Sequence, residues 1–509
     1  MATAPTKWDL ESDFVILGSS GGGLTAAIVA HDAGLKTVVL EKLDKIGGGH
    51  AYSGGVIWVP LNGPQKMAGH KDSKEDALRY VRSKSLGLHD EAQLNAYLDN
   101  GAEAMAYLEK YTPLQFCVAL ASSDYYRHIE GFNWGRVISP DPDIMPPRLE
   151  ALEKKQPLLS KVQPNSAGAV WKFNLGSNGG RCIMGALTSA CVERDISILT
   201  EAPARELVSE NGRVIGVRAQ HHGKDYFVKA NRGVLIATGG FEHNAEMNKR
   251  YLPFPQPIVA FTPPGNTGDG HIMGMEVGAA TALMNVGIML SGVLDFNGKP
   301  AAAAVSATPG LIIVNKDGER CCNESLYMSV ARALGAISSN RDPFWLNHPM
   351  YVVMDSKVPG GPDRPWARSA NTIKELAQQI GVNAGKMEAA VKRYNEFAGQ
   401  GKDPDFSRGE YGAYEPNFFS DTPANMGPVD KPPFYAAPLG ATTVGTKGGL
   451  VTNVHAQVVN VRGGVIRGLY CTSNAAAHTS FGAGYTSGQS NGNSMIFGYV
   501  AAKHVASAH

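Results

Sequence analysis

The sequence has few cysteines, almost no net charge and no long apolar stretch. None of its six cysteines forms a C-x-x-C pair, so the pattern indicates neither a zinc site nor a redox-active dithiol. Lys and Arg number 47 against 46 Asp and Glu, and no basic stripe marks a nucleic-acid-binding surface. No apolar run reaches the roughly 18 residues of a transmembrane helix. The polar segment from Met1 to Ser12 lacks the apolar core of a signal peptide, so we expect a cytoplasmic protein.

Glycine, in contrast, is abundant. The chain of 509 residues has 59 glycines, whereas an average share of about 7% would give roughly 36. Without a collagen-like period or low-complexity runs, this excess indicates tight turns or close approaches of the backbone to a ligand. The hydrophobic fraction of 43% is ample for a packed core, and the length suggests two or three domains.

The N-terminal region contains a βαβ pattern. The apolar run from Phe14 to Leu17 ends at the glycine-rich segment 18–23, and a helix-like segment follows from Leu24 to Ala33. A second apolar run, from Thr37 to Leu40, ends at Glu41. A glycine turn before a helix offers backbone N–H groups to a pyrophosphate, and an acidic residue after the next strand suits a ribose diol. The pattern therefore predicts a binding site for a dinucleotide, either NAD or FAD.

One residue departs from the dinucleotide fingerprint. Ser20 stands where the second glycine brings the backbone closest to the pyrophosphate. A serine fits there only if its φ stays negative and its side chain turns away from the ligand.

The chain changes character after about residue 280. Helix-like segments at 372–380 and 386–397 alternate there with proline-rich loops, whereas the last 80 residues return to strands and glycines and end in an apolar helix from about Asn491 to Val505. Before this change, the stretch from Ser197 to Val228 has the short runs and turns of an antiparallel meander. The pattern predicts an inserted domain.

Several motifs resemble the fumarate reductase/succinate dehydrogenase flavoprotein superfamily. The segment Gly47–Gly55 resembles its isoalloxazine-contacting loop. Further matches follow in family order at 176–181, 237–240, 267–270, 372–376, 391–395, 448–450 and 468–470. The resemblance implies FAD as cofactor and an α/β fold in which a Rossmann-like FAD-binding domain is interrupted by an inserted α+β catalytic domain. The expected boundaries are 1–280 and 436–509 for the FAD-binding domain and 281–435 for the inserted domain.

The dinucleotide pattern and the resemblance together predict the cofactor-binding residues. They are Gly18, Ser20, Gly21, Gly22, Gly23, Glu41, Lys42, Gly48, Gly49, His50, Ser53, Gly54, Gly55, Ala204, Thr238, Gly239, Gly240, Gly268, Asp269, Asn474 and Ser490. Relatives that bind FAD covalently use a histidine six residues before the final Gly-Gly of the first flavin loop. Gly48 stands at that position and His50 two residues later, so the resemblance implies noncovalent FAD.

Two substitutions distinguish branches of the superfamily. Where fumarate-converting members have an arginine and a histidine for the substrate carboxylates, this chain has Tyr485 and Gly445. Burying a dicarboxylate without those cations would be costly, so a fumarate-type substrate is disfavoured.

The same positions resemble the 3-ketosteroid dehydrogenases. The segment Gly318–Tyr327 resembles their G-x-R-F-x-N-E motif followed by a tyrosine, and Gly484–Ser490 resembles their tyrosine-bearing C-terminal loop. The Tyr-x-Ser-Gly spacing looks closer to the Δ4-(5α) branch than to the Δ1 branch. The segment Asp124–Tyr126 resembles a further stretch that supplies a third active-site tyrosine, for which we take Tyr126.

The implied reaction is the α,β-desaturation of a cyclic ketone, with a proton lost from Cα and a hydride from Cβ to flavin N5. Hydrogen-bond donors that polarise the carbonyl stabilise the developing enolate, and we assign this role to Tyr485 and the amide of Gly488. We expect Tyr327 to be the base and Ser487 a proton relay, although the two tyrosine roles could be exchanged. The expected partners are a small-molecule cyclic ketone, with a 3-ketosteroid as the leading candidate, and an unidentified electron acceptor. The alternatives are a smaller ring such as an oxocyclohexane derivative, a fumarate-reductase-like alkene reductase, and a catalytically silent flavin-binding protein.

Overall fold

The computed structural model describes residues 4–119, 123–163, 179–302, 308–339, 343–359, 363–410 and 426–508. Numbered in chain order, its helices are α1 (Gly21–Asp32), α2 (Gly48–Tyr52), α3 (Gly63–Met67), α4 (Lys74–Lys84), α5 (Glu91–Tyr111), α6 (Met145–Glu153), α7 (Gly179–Val192), α8 (Ala245–Tyr251), α9 (Asp269–Glu276), α10 (Tyr327–Leu334), α11 (Ile373–Ile380), α12 (Ala384–Ala398) and α13 (Gln489–Ser507). Its strands are β1 (Leu10–Leu17), β2 (Thr37–Leu40), β3 (Ile57–Trp58), β4 (Phe116–Val118), β5 (Val137–Pro140), β6 (Ser197–Leu199), β7 (Ala204–Glu210), β8 (Arg213–His221), β9 (Lys224–Ile236), β10 (Val259–Ala260), β11 (Thr281–Ala282), β12 (Gly287–Leu294), β13 (Pro300–Ala302), β14 (Leu311–Val314), β15 (Met350–Met354), β16 (Arg368–Ala370), β17 (Phe434–Thr446), β18 (Gly449–Leu450), β19 (Gln457–Val459) and β20 (Val465–Cys471).

The first sheet has a parallel centre in which β20, β9, β1, β2 and β6 lie side by side. Along β1, Phe14 and Ile16 pack into one hydrophobic cluster and Val15 and Leu17 into another. A strand buried on both faces is typical of a parallel sheet covered by helices. The predicted α/β fold with a Rossmann-like βαβ unit is confirmed.

The meander predicted at 197–228 is shorter than expected. Strands β7, β8 and β9 are antiparallel, and positive φ values at Asn211 and Gly212 form the turn between the first two. Strand β6, however, pairs in parallel with β2 and belongs to the central sheet. A run of three residues carries no signal that separates the two pairings.

Helices α1 and α13 pack very closely beside the glycine turn. A Cβ atom on Gly498 would lie 2.3 Å from the carbonyl oxygen of Gly22, and one on Gly22 would lie 2.2 Å from that of Ser494. Glycine at both positions therefore allows the backbones to approach each other. The C-terminal helix thereby lies directly against the turn that follows β1.

The second sheet forms the centre of the inserted domain. Strand β17 pairs with β12, β15, β16 and β10, and β12 and β15 in turn pair with β13 and β14. Helices α11 and α12 begin after Thr372 and Asn383, whose side chains accept hydrogen bonds from the backbone N–H groups of Glu375 and Lys386. The sheet extends past the predicted boundaries, because β10 precedes residue 281 and β17 continues beyond residue 435 to Thr446.

A small sheet of β3, β5 and β4 packs beside the glycine turn. Its residues Trp58, Phe116 and Ile138 belong to the same buried cluster as Ile16 of β1 and Phe497 of α13. The segment between β3 and β5 is therefore part of the first domain, and it presents one wall of the site described next.

Candidate active site

A cavity lies between the first domain and the sheet of the inserted domain. Its lining comes from the ends of β1 and β2, from α2 and the residues after it, and from the loops 237–242 and 261–269. Strands β12 and β17 supply Ile288, Leu290 and Val444, and the start of α13 supplies Ser490, Asn491 and Ser494. The cavity thus joins the predicted dinucleotide turn to the predicted substrate loop.

Ser20 adopts the conformation that the departure from the fingerprint requires. It precedes α1 with φ −66° and ψ 168°, and its Oγ accepts a hydrogen bond from the N–H of Gly23 at 3.3 Å. Its side chain thus acts as the helix N-cap, and Ser20 lines the cavity together with Gly18.

Glu41 and Lys42 end β2 at the cavity wall. The carboxylate of Glu41 accepts hydrogen bonds from the N–H and Oγ of Ser19 at 3.0 and 2.6 Å. Burial raises the pKa of Glu41 despite these bonds. Lys42 Nζ donates to Thr267 Oγ1 at 2.6 Å and pairs with Asp269 Oδ2 at 3.0 Å. Acceptors and a cation therefore meet at this end of the cavity, as nucleotide recognition requires.

The segment 48–54 lines the middle of the cavity. The imidazole of His50 lies over Gly21, where a Cβ atom would be 2.6 Å from its ring. Burial lowers the pKa of His50 to about 4, so the ring is neutral near pH 7. Ser53 Oγ donates to the carbonyl of His50 at 2.7 Å and accepts a hydrogen bond from Asn491 Nδ2 at 3.1 Å. This segment is therefore tied to α13 as well as to the glycine turn.

Fifteen predicted cofactor residues line the cavity and six do not. Those that line it are Gly18, Ser20, Glu41, Lys42, Gly48, Gly49, His50, Ser53, Gly54, Ala204, Thr238, Gly239, Asp269, Asn474 and Ser490.

The predicted residues outside the lining are Gly21, Gly22, Gly23, Gly55, Gly240 and Gly268. The N–H groups of Gly22 and Gly23 donate to serine hydroxyls, and a Cβ atom on Gly55 would lie 2.2 Å from the backbone of Gly179. These glycines allow close packing behind the cavity. Gly179 also lines the cavity, whereas 176–178 of the same predicted loop lie outside the described residues.

Tyr485 lies in the loop before α13 and lines the end of the cavity next to the inserted domain. Leu290 and Val444 of that domain belong to the same cluster of side chains. Burial raises the pKa of Tyr485 to about 12, so its phenol is protonated near neutral pH. It is therefore a hydrogen-bond donor without charge.

Ser487 and Gly488 follow Tyr485 in the cavity wall. Gly488 precedes α13 with φ +75°, and a Cβ atom there would lie 2.7 Å from the backbone of Ile57 and Trp58. Glycine is thus required both by the left-handed backbone and by the close approach of β3. The start of α13 directs the positive end of its helix dipole toward this part of the cavity.

Of the two adjacent tyrosines, Tyr125 rather than the predicted Tyr126 lines the cavity. The Tyr125 ring packs against Tyr485 with a centroid distance of 6.2 Å. The Tyr126 hydroxyl lies 3.9 Å from Met328 Sδ, at the edge of the same cluster. Neighbouring residues in a loop have no periodicity that shows which one faces the cavity.

Buried charges hold the segment that carries Tyr125. The carboxylate of Asp124 accepts hydrogen bonds from Trp58 Nε1 at 2.6 Å and from Arg136 Nη1 at 2.9 Å. Arg136 also pairs with Asp72, and both guanidinium and carboxylates are buried. These contacts fix the backbone immediately before Tyr125.

Tyr327 is the first residue of α10. The turn before it is held by Glu324, whose carboxylate accepts hydrogen bonds from Arg320 Nε and Nη2 at 2.9 and 2.8 Å and lies 3.4 Å from Arg408 Nη1. Although burial opposes ionisation, Arg320 and Arg408 lower the pKa of Glu324. The G-x-R-x-x-N-E residues thus anchor the start of α10 near the tyrosine cluster, where Met328 packs.

Several cavity residues were not predicted. Glu242 and Asn266 form a buried pair in the lining, with Asn266 Nδ2 donating to Glu242 Oε1 at 2.8 Å. Asn491 and Ser494 lie on the polar face of an otherwise apolar helix, a signal that the sequence contains. Ile288, Leu290 and Val444 are apolar strand residues, and an apolar strand face gives no sign of whether it meets a core or a cavity.

Positive charge is scarce around the cavity. Among the described lining residues, Lys42 is the one lysine or arginine, and it is paired with Asp269. Within the same described parts of the chain, no group of His, Cys, Asp and Glu is suited to hold a metal ion. In the part of the chain that the structure covers, no helix has both the length and the apolar composition needed to span a bilayer.

Comparisons with known proteins give one consistent group. Residues 13–492 match the FAD binding domain family. The chain is 32% identical to the 3-oxosteroid 1-dehydrogenase of Mycobacterium tuberculosis, over 97% of this chain and 98% of that protein. It is 31% identical to the 4-oxocyclohexanecarboxylate 2-dehydrogenase of Sinomonas cyclohexanicum, over 97% of this chain and 92% of that protein.

A solved structure agrees with these sequences. The crystal structure of 3-ketosteroid Δ1-dehydrogenase from Sterolibacterium denitrificans in complex with 1,4-androstadiene-3,17-dione superimposes with a TM-score of 0.85 at 29% identity, covering 98% of this chain and 100% of that chain. The names of both steroid enzymes specify dehydrogenation at position 1 of the steroid, whereas the spacing around Tyr485 favours the Δ4-(5α) branch. These two relatives give that finer expectation no support.

Proposed function

Because the chain belongs to the FAD binding domain family, and within it to the 3-ketosteroid dehydrogenase branch of the fumarate reductase/succinate dehydrogenase superfamily, we propose that it desaturates a 3-ketosteroid next to its carbonyl. It is an FAD-dependent oxidoreductase that acts on CH–CH bonds. The proposal concerns the substrate, the residues that act on it and the noncovalent attachment of FAD. The observation that carries it is the character of the cavity around Tyr485, which combines apolar side chains with uncharged phenols.

The residues present fit FAD. His50 Nε2 and Thr238 Oγ1 are buried polar atoms of the cavity wall that have no hydrogen-bond partner in the described protein. Buried polar groups are usually hydrogen-bonded, so both atoms suit a polar ligand lying along this wall. Glu41 and Lys42 would hold the nucleotide end, and the segment 48–54 would hold the isoalloxazine end. FAD, when bound, supplies the acceptor for the hydride that leaves Cβ.

We assign Tyr485 and the Gly488 amide to the substrate carbonyl. A protonated phenol and a backbone N–H at the start of α13 can donate to the same oxygen without placing a charge in an apolar cavity. The positive end of the α13 dipole further favours the negative charge that develops on this oxygen when Cα loses its proton. The raised pKa of Tyr485 suits a donor and disfavours this residue as the base.

The base is assigned to Tyr327, with Ser487 as a relay for its proton. Tyr327 begins a helix whose next residue, Met328, packs in the cluster that contains Tyr125 and Tyr485. Tyr125 replaces Tyr126 as the third phenol of the proposed site, because it is the one in the cavity wall.

A smaller cyclic ketone is the second candidate, since the relative from Sinomonas cyclohexanicum acts on an oxocyclohexanecarboxylate at almost the same identity. A carboxylate, however, needs a cation or several hydrogen-bond donors when it is buried. Of the described lining residues, none next to Tyr485 is a lysine or arginine. The same point disfavours an alkene reductase that binds fumarate-like acids.

An anaerobic screen tests the proposal. The purified flavoprotein is mixed with a saturated 3-ketosteroid, a Δ4-3-ketosteroid, 4-oxocyclohexanecarboxylate and its neutral methyl ester, and flavin bleaching is followed by absorbance. We expect bleaching with at least one steroid and little with the carboxylate. Faster bleaching by the carboxylate than by either steroid would overturn the steroid assignment, and no bleaching by any ketone would leave a silent flavin-binding protein.

A further inference from the structure

Lys447 is a buried lysine at the junction of the two domains. It follows the last residue of β17, the central strand of the inserted domain, and its relative exposure is 1%. Its backbone N–H donates to the carbonyl of Val286 at 2.9 Å, and its own carbonyl accepts from the N–H of His478 at 3.0 Å. The backbone of Lys447 is therefore fixed by both domains.

The Lys447 ammonium reaches the loop that carries Tyr485. Nζ donates a hydrogen bond to the carbonyl of Gly482 at 2.7 Å and a second to that of Gly484. Gly484 is the residue immediately before Tyr485. The two bonds therefore fix the backbone immediately before Tyr485.

Lys447 has no charged partner to explain its burial. Among the described residues, no carboxylate lies within ion-pair distance of Nζ, and burial alone lowers the pKa of Lys447 to about 7. An apolar side chain would fill such a space at lower cost, because a buried ammonium must give up its hydration. What the lysine adds is a pair of hydrogen bonds to carbonyls that are buried with it.

The other side of Tyr485 is held separately. The N–H of Thr486 donates to Gln489 Oε1 at 3.2 Å, and the Thr486 hydroxyl lies 3.5 Å from the hydroxyl of Tyr80. Further back, the N–H of Ala483 donates to the carbonyl of Ser85 at 3.2 Å. Without Lys447, the loop keeps these anchors but loses both contacts to the carbonyls before Tyr485.

We propose that Lys447 is a positioning residue for Tyr485, which holds the phenol at the substrate carbonyl by fixing the backbone of Gly482 and Gly484. Lys447 directly follows β17, and Val444 of that strand lines the cavity. The strand therefore contributes to the cavity wall and, through Lys447, positions the phenol of Tyr485. The inference rests on the proposed role of Tyr485. It adds that this role depends on a side chain that does not touch the substrate.

Gln93 provides a matched control. It is also buried, and its Nε2 donates to a backbone carbonyl, that of Thr452, at 2.6 Å, outside the Tyr485 loop. Lys447→Met and Gln93→Met therefore both replace a buried side-chain donor to a backbone carbonyl by an apolar chain, whereas only the first removes the two contacts to the Tyr485 loop. FAD content and the unfolding midpoint of each variant report on general damage.

The test is a double-mutant cycle with Tyr485→Phe, measured on anaerobic flavin reduction by the ketone that the wild type accepts. We expect Lys447→Met to slow reduction at least about tenfold in the wild-type background and less than about twofold once Tyr485 is phenylalanine. The effects of Gln93→Met and Tyr485→Phe on the rate should instead multiply, because Gln93 makes its contact outside the Tyr485 loop. Multiplicative effects of Lys447→Met would overturn the proposal, even if Tyr485→Phe itself behaves as expected.

A binding measurement separates positioning from structural damage. The affinity for a ketosteroid and for its analogue without the carbonyl oxygen is measured by perturbation of the flavin spectrum. Lys447→Met should weaken binding of the ketone about tenfold and leave the analogue within about twofold, because only the ketone meets the Tyr485 donor. Equal loss for both ligands would overturn the proposal.

A second variant, Lys447→Gln, tests the proposal if Lys447→Met does not fold. Its side-chain amide offers two N–H donors, so it should have a higher rate of flavin reduction and a stronger preference for the ketone than Lys447→Met. The same double-mutant cycle with Tyr485→Phe can be measured on it. If the wild type binds no ketone or steroid, the proposed function fails. If the wild type binds ketones but substitution of Lys447 has no effect, the proposed function stands and the positioning role of Lys447 fails.

Discussion

The ring of Tyr125 packs against the ring of Tyr485 at the cavity wall, with the planes inclined by 45°. Tyr125 comes from the segment between β4 and β5, and Tyr485 comes from the loop before the last helix. Separate networks fix the two: the Asp124–Arg136 pair holds the first, and Lys447 holds the loop of the second. Two tyrosine side chains from distant parts of the chain are thereby brought to one wall of the cavity.

Tyr485→Phe removes the proposed carbonyl donor and keeps the ring. We expect the rate of anaerobic flavin reduction by ketone to fall at least about a hundredfold, because the enolate loses a hydrogen bond that matters most as charge develops. FAD content should not change. Tyr470→Phe is the matched control, since that hydroxyl lies 2.9 Å from His504 Nδ1 and does not line the cavity. A rate near that of the wild type for Tyr485→Phe would remove this residue from the mechanism.

Tyr327→Phe removes the proposed base. Without a group to take the Cα proton, the same reduction rate should fall at least about a hundredfold, again with unchanged FAD content. Exchange of the Cα protons with deuterated solvent, followed by NMR of the ketone, is a second measurement that isolates proton removal. If the variant still catalyses exchange at the wild-type rate, the base is another residue.

Tyr125→Phe and Tyr126→Phe distinguish two neighbours that the sequence could not separate. Because Tyr125 lines the cavity, its variant should slow flavin reduction at least about tenfold, whereas Tyr126→Phe should change it by less than about threefold. Each variant is the control for the other, since both replace a tyrosine of the same cluster. A larger loss for Tyr126→Phe would make Tyr126 the third tyrosine of the active site and contradict the placement argued from the cavity wall.

The fold followed from local patterns in the places where those patterns are strongest. The run from Phe14 to Leu17 is apolar at every position, as a strand buried on both faces must be, and the glycine turn and Glu41 follow at the expected spacing. The excess of glycine does not come from ligand contacts alone. Gly22 and Gly498 allow two helices to touch, so part of the excess marks contacts within the protein and not contacts with a ligand.

The site was less predictable than the fold because it depends on contacts between distant parts of the chain. A lysine in Gly-Thr-Lys-Gly-Gly has the appearance of a surface residue in a turn, yet Lys447 is buried because the loop before α13 folds over it. Asn474 illustrates the same point. A Cβ atom on Gly445 would lie 2.5 Å from its amide nitrogen, so the glycine at this position makes room for Asn474 at the cavity.

Acid precipitation tests the expectation of noncovalent FAD. Gly48 occupies the position at which covalent relatives have their histidine, and the His50 ring lies over Gly21 at the glycine turn. We therefore expect all flavin absorbance in the supernatant after precipitation with trichloroacetic acid, with none in the washed pellet. A yellow pellet would show a covalent bond, and Gly48→Ala and His50→Gln would then identify whether His50 forms it.

The pH dependence of catalysis tests whether Tyr485 is a neutral donor. Burial raises the pKa of Tyr485 to about 12, so the phenol is protonated below that pH and loses its proton only as the pH rises through it. The advantage of wild type over Tyr485→Phe in the rate of flavin reduction should therefore be constant, within about twofold, between about pH 6 and pH 10. Titration of the base or of the cofactor affects both proteins equally and cancels in this ratio. Lys447, whose pKa burial lowers to about 7, still has two N–H donors for the carbonyls of Gly482 and Gly484 when it is neutral, so its titration keeps the Tyr485 loop in place. An advantage that declines steadily above about pH 8 would mean that Tyr485 ionises within the working range, and it would then be a better base than donor.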